Sequence, residues 1–199
     1  WPSPDGRRVA YRQGQDLKVL ALADEASVTV ATFPDGTDVS GPAWSPDARG
    51  IAFSDTRRLQ VLSPIGGTPR VLVEAPAGSA IGGISFWSGV AWSPDVRVIA
   101  YLQRETARAS GRSELWLVPV VGGPPVRAAV APASHPLLSD VAWHPGGTRI
   151  YATGGTGARS KVRKPRNVIC GALGGARSPI PRDCGVRYPS SARVPTRDG

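Results

Sequence analysis

The chain has 199 residues, with 24 Lys and Arg against 15 Asp and Glu, a formal charge of +9 and a pI near 10.5; that length suits one domain of ordinary size. A hydrophobic share of 41% and a charged share of 20% argue against a disordered polyelectrolyte, two Cys are too few for a disulfide scaffold, and no apolar run of about 18 residues encodes a membrane span. The 24 Gly and 20 Pro disfavour long helices and favour short strands joined by tight turns.

The chain opens at Trp1 and contains no Met, which reads as a fragment or a processed product. The first segment, Ser3-Pro4-Asp5-Gly6-Arg7-Arg8-Val9-Ala10-Tyr11, returns as Trp44-Ser45-Pro46-Asp47-Ala48-Arg49-Gly50-Ile51-Ala52-Phe53. It returns again as Trp92-Ser93-Pro94-Asp95-Val96-Arg97-Val98-Ile99-Ala100-Tyr101, and in degraded form as Trp143-His144-Pro145-Gly146-Gly147-Thr148-Arg149-Ile150-Tyr151. Steps of 42, 48 and 51 residues separate Ser3, Ser45, Ser93 and His144, and such periods belong to propeller blades.

Each copy has the same physical parts. A short strand ends at the Trp, and the chain turns through Ser-Pro-Asp-Gly, where Pro presets φ, Ser and Asp bond nearby backbone, and Gly accepts positive φ. A strand follows with a small residue between two large apolar ones, as face-to-face sheets about 10 Å apart require. Third strands are predicted over Asp16–Leu22, Leu59–Leu62 and Glu114–Val118, and weaker fourth strands near Ser27–Ala31, Pro69–Glu74 and Val126–Val130. Two of the fourth strands follow a Gly-Gly turn, at Gly66-Gly67 and Gly122-Gly123. The fourth copy shows no recognisable third or fourth strand.

This Trp-Ser-Pro-Asp-Gly pattern, followed by an Ile-Ala-Phe-like strand and a strand ending before Gly-Gly, resembles the WD40-like repeat of TolB-type β-propellers. Relatives of that repeat form the propellers of prolyl-oligopeptidase-like peptidases and the sensor regions of some bacterial kinases. The resemblance implies an all-β propeller of about 3.5 blades, an incomplete ring, over residues 1–157. Repeats fall near 3–43, 44–91 and 92–142, with a partial copy at 143–157. It further implies a non-enzymatic module for protein–protein interaction or ligand sensing in the bacterial periplasm or elsewhere outside the cytoplasm. The alternative is an accessory propeller of a serine peptidase whose catalytic domain is absent. Fold alone does not choose between them.

Residues 158–199 differ from the rest. They hold ten Lys and Arg against two Asp, and so carry +8 of the +9. Three readings stand: a basic arm for nucleic acid or an anionic surface, a solvated disordered extension, and an out-of-frame reading of GC-rich DNA. Tyr188 is the tail's single aromatic residue, which argues against base stacking and makes nucleic acid an unfavoured partner.

Individual chemistry-bearing residues point the same way. Cys170 and Cys184 lack a His in the tail to complete a zinc site and read as two unrelated thiols rather than a disulfide. His135 and His144 are the only histidines, and His144, with Asp140 nearby, reads as part of the turn rather than as a catalytic base. Asp5, Asp47 and Asp95 read as turn residues rather than calcium ligands, and Trp44, Trp92 and Trp143 as blade packing. The repeated Tyr11, Phe53, Tyr101 and Tyr151 are taken as equivalent packing residues. Gly82-Gly83-Ile84-Ser85-Phe86 lacks the final Gly of a nucleophile elbow, and Gly154-Gly155-Thr156-Gly157 lacks the Lys of a phosphate loop. No catalytic, cofactor or metal residue is assigned and no cofactor is expected. Long loops at Gln103–Arg112 and Ala75–Trp87 are the expected variable rims. The expected partner is another protein or the rest of its own propeller, and an incomplete ring is expected to self-associate through exposed apolar faces.

Overall fold

Alternation along three residues sets the architecture. In Ile51-Ala52-Phe53 successive side chains point to opposite faces of a sheet, and all three are fully buried, so this strand is covered on both sides. In the computed structural model, which describes residues 1–83, 89–106, 111–131, 133 and 136–154 and the backbone of 155 and 166–170, the covering on each side is another sheet.

Among the described residues fifteen strands form four antiparallel sheets. The first contains β1 (Arg8–Gln13), β2 (Asp16–Ala21) and β3 (Ser27–Thr32) in that order. An isolated antiparallel bridge joins Pro2 to Val9. The second runs β4 (Ser40–Trp44), β5 (Ile51–Ser54), β6 (Arg58–Leu62) and β7 (Arg70–Glu74). In the third, β8 (Ser79–Ile81) and β9 (Val90–Trp92) share one edge of β10 (Val98–Glu105), and β11 (Ser113–Pro119) and β12 (Val126–Val130) follow. The fourth contains β13 (Leu137–Trp143), β14 (Ile150–Gly155) and β15 (Arg166–Cys170). In the second, third and fourth sheets the strand leading into the turn, which ends at the Trp, pairs with the strand leaving it.

Three apolar clusters fill the three spaces between four sheets. Ala10, Leu17 and Val19 of the first sheet meet Ile51, Phe53 and Leu62 of the second. Ala52, Leu59 and Val73 meet Ile99, Tyr101 and Val118 of the third. Ala100, Leu102 and Leu115 meet Val141, Ile150 and Ala152 of the fourth. We call the face toward the preceding sheet leading and the other trailing; each fully buried Ile or Phe on them contributes about 1.5–3 kcal/mol. This is the packing of successive propeller blades, in an incomplete ring.

A periodic hydrogen bond joins the blades. The indole N–H of Trp44 donates to the Trp1 carbonyl at 2.9 Å, that of Trp92 to Ala43 at 2.9 Å, and that of Trp143 to Ala91 at 3.2 Å. Each acceptor is the residue before the Trp position of the preceding blade. The Trp92 ring lies so close to Gly50 that a Cβ there would stand 3.2 Å from it. At the same place in the first blade, the Arg8 guanidinium stacks over Trp44 at 5.4 Å and donates to the Ala48 carbonyl at 2.8 Å.

The structure revises several expectations. Gln103–Glu105 and Ser79–Ile81 are paired strand rather than rim loop, with Gln103 opposite Ile81 and Glu105 opposite Ser79. The inner edge of the third blade is shared by β8 and β9 instead: Leu102 donates its N–H to the Gly89 carbonyl and its carbonyl accepts from Gly82, both at 2.8 Å. Gly83 passes so near the fourth blade that a Cβ would overlap the Ser139 carbonyl. Tyr151 is not equivalent to Tyr101. The turn-closing bonds Ser93–Val98 and His144–Arg149 align Ala152 with Tyr101, so Tyr151 faces away from the third blade. The third strand of the fourth blade, invisible in the sequence, is β15, with Ala152 opposite Val168. Residues 171–199, including Cys184, lie outside the described residues.

Trp92→Phe is expected to destabilise the chain by about 1–3 kcal/mol through the lost bond and ring contact. Trp116→Phe, whose indole bonds Glu114 within its own strand, is expected to lose less. Equal losses in chemical denaturation would remove the special weight given to the bond between blades.

Candidate interaction site

The serines of the repeated turn do more than the sequence shows. In the first three blades the Ser hydroxyl donates to the Asp two residues on, at 2.5, 2.6 and 2.6 Å for Ser3, Ser45 and Ser93. The same oxygen accepts from the backbone N–H five residues on, at Arg8, Gly50 and Val98. Asp5, Asp47 and Asp95 accept in turn from the N–H groups of Arg7, Arg49 and Arg97. The hydrogen bond from Ser, with the backbone bond and the neighbouring Arg charge, holds all three carboxyls below the ordinary aspartate range. These carboxylates are turn fasteners, as their repetition suggested. Ala48 and Val96 occupy the Gly position with φ of 57° and 63°, a region L-residues adopt at a cost of about 1–2 kcal/mol.

His144 stands at the Ser position of the fourth turn. Its Nδ1 accepts from the Gly146 N–H at 3.0 Å, a bond the Ser turns do not make. Asp140 accepts from the N–H of its neighbour Val141 at 2.7 Å. Gly154 and Gly155 lie in β14, paired with Leu138 and Leu137, and form no phosphate loop. His135 and Ile84–Phe86 lie outside the described residues, and of Cys170 only the backbone is described. Among the described residues no group of three His, Cys, Asp or Glu is placed to hold a metal ion.

What the fold leaves accessible is grooves and faces. Between the second and third blades, on the turn side, a cleft of about 340 Å³ is lined by Asp47, Arg49, Arg70, Trp92, Val96 and Val120. The same groove recurs one blade on with about 440 Å³, between Pro94 and Asp95 on one side and Trp143 and Pro145 on the other. Arg70 crosses the first groove to donate to the Val120 carbonyl at 2.5 Å.

The leading face of the first blade is the second accessible feature. Val9, Tyr11, Lys18 and Leu20 share it, since Val9 pairs with Leu20 and Tyr11 with Lys18. Their counterparts Ile51, Phe53, Gln60 and Leu62 are buried in the second blade, as are Ile99, Tyr101 and Val118 in the third. In the first blade all four stay partly exposed, and the Tyr11 hydroxyl bonds Ser27 at 2.8 Å.

No family model matches the chain, and no curated protein does. Among solved structures it is similar to a putative TolB from Agrobacterium tumefaciens, at 20% identity and TM-score 0.60, covering 88% of this chain and 60% of that one. TolB from Acinetobacter baumannii matches at 12% and 0.57, covering 88% and 41%. A puromycin hydrolase matches at 18% and 0.59, covering 96% and 29%. The fold these geometries and likenesses define is the TolB-like β-propeller. The chain spans less than two thirds of each of these neighbours.

Two changes test the site's chemistry. The low carboxyl pKa values of Asp5, Asp47 and Asp95 stabilise the fold fully above the unfolded aspartate value of about 4, and the contribution is lost as pH falls through the folded-state values. D5N/D47N/D95N is therefore expected to flatten the acid limb of stability against pH; an unchanged limb refutes the fastener role. Tyr101 is fully buried, and its hydroxyl has no hydrogen-bond partner among the described residues; burial, with the Glu114 charge nearby, raises its pKa far above the ordinary value. Tyr101→Phe is expected to hold or gain up to about 1 kcal/mol, and a clear loss in thermal unfolding contradicts the orphaned hydroxyl.

Proposed function

We propose that the chain is a non-enzymatic β-propeller module for protein–protein interaction or ligand sensing, working outside the cytoplasm of a bacterium. One observation carries this reading: the repeated Asp, Ser and Trp residues are consumed in turns and blade ties, while the accessible features are grooves and a half-covered apolar blade face. Such surfaces recognise partners by shape and burial rather than by chemistry. The likeness to TolB structures supports the same reading at the level of fold. No helix among the described residues is long and apolar enough to cross a membrane.

A second reading has its own support. The puromycin hydrolase likeness, and a likeness to dipeptidyl peptidase 4 from Porphyromonas gingivalis at 10% identity and TM-score 0.56, favour an accessory propeller that gates a serine peptidase domain. In that reading the grooves face the companion domain.

Photocrosslinking separates them. A photoreactive benzoylphenylalanine at Arg49, in the groove between the second and third blades, is expected to capture one discrete protein from bacterial envelope extract. An adduct that also reacts with a fluorophosphonate replaces the first reading by the second. No adduct at Arg49 or at the exposed Val121 overturns both. Purified chain is expected not to hydrolyse aminoacyl anilides, and fluorophosphonate-sensitive turnover overturns the non-enzymatic assignment.

A further inference from the structure

The groove between the second and third blades differs in charge from its repeat. It lies between two blades that each have a sheet on both faces. Two arginines, Arg49 and Arg70, and one aspartate, Asp47, line it beside Trp92, Val96 and Val120, a net of one positive charge in an apolar setting. The groove one blade on is lined by Asp95 with no Arg or Lys. Arg70 marks the departure from the repeat. The residues opposite Ala10, Ala52 and Ala100 are Val19, Val61 and Leu117, and these pair in turn with Val28, Arg70 and Val126 of the outer strands. Where the first and third blades carry valine, the second carries a guanidinium.

Arg70 is held in place at the groove. Its Nη2 donates to the Val120 carbonyl of the third blade, and its Nη1 lies over Gly122, where a Cβ would stand 3.9 Å away. The rest of the planar fork of N–H donors makes no hydrogen bond among the described residues, and neither Arg70 nor Arg49 forms an ion pair among them. Asp47 is already engaged, accepting from the Ser45 hydroxyl and the Arg49 N–H. The Gly-Gly turns bordering the groove raise Ile65 and Val121 into solvent, 78% and 91% exposed. We propose that this groove binds an extended segment of a partner protein in which an Asp or Glu stands beside a large apolar residue. The carboxylate meets the Arg70 fork, a charge-assisted and geometrically matched pairing, while the apolar side chain lies against Trp92, Val96 and Val120. One carboxylate balances the net charge of the groove, and the apolar lining takes a side chain that a phosphate chain lacks. The inference rests on the protein-interaction reading above and names the chemistry of the partner.

The test is a displayed library of random heptapeptides panned on the full chain. Returned sequences are expected to place Asp or Glu beside Leu, Phe or Trp. Arg70→Val, which installs the residue of the first and third blades, is expected to bind a returned peptide about tenfold more weakly in fluorescence anisotropy. The charge of residues 158–199 is the same in both chains, so a loss at Arg70 is distinct from general attraction to acid. If Arg70→Val loses its native far-UV signal, Arg49→Gln probes the same groove. Returned peptides without an acidic preference, or equal binding by wild type and variant, overturn the proposal. Displacement of the peptide by octanoate at equal concentration also overturns it, in favour of a small amphipathic acid. A discrete protein captured from Val121 alongside any of these three results leaves the interaction reading standing and removes only the acidic segment.

Discussion

A tryptophan reaching from one sheet to the backbone of the sheet before it is the contact on which the structure turns. At Trp44, Trp92 and Trp143 the indole N–H finds the same carbonyl position of the preceding blade. The ring covers the residue that follows the preceding turn. A buried indole N–H without a partner costs more than the bond itself gains, so the distance and rotation between blades are set by a polar group inside an apolar seam. Dispersion and burial supply most of the energy, and the indole supplies the register.

That seam explains the rest of the repeat. Alanine at positions 10, 52 and 100 is fully buried because a larger side chain there would hold the next blade away. The Ser-Asp turn closes the hairpin using its own side chains, so each turn is stiff without help from neighbours. Variation enters the repeat at two further places. One is the turn position of Ala48 and Val96, where positive φ is tolerated because the surrounding bonds hold the turn. The other is the inner strand of the third blade.

The sequence revealed the blades because their signal is local: a Trp, a turn and three alternating residues lie within ten positions and recur. It revealed the structural roles of the repeated Asp and Trp for the same reason. It did not reveal where the third blade's strands end, since the pairing of Glu105 with Ser79 joins residues far apart in sequence and no turn signal marks it. Tyr151 misled because its aromatic ring matches the pattern while its position is shifted by one, and one residue reverses the face. β15 was hidden because Arg166-Asn167-Val168-Ile169-Cys170 has no alternation of its own and takes its place from the free edge of β14.

Leu102 gives the third blade an unusual freedom. Because its N–H and carbonyl bind Gly89 and Gly82, the backbone pairing resumes on either side of the interruption as though nothing intervened. The number and kind of residues between those glycines are thereby uncoupled from the ladder. Gly82 and Gly89 thus form a socket of two backbone bonds that holds β10 in one register on both sides.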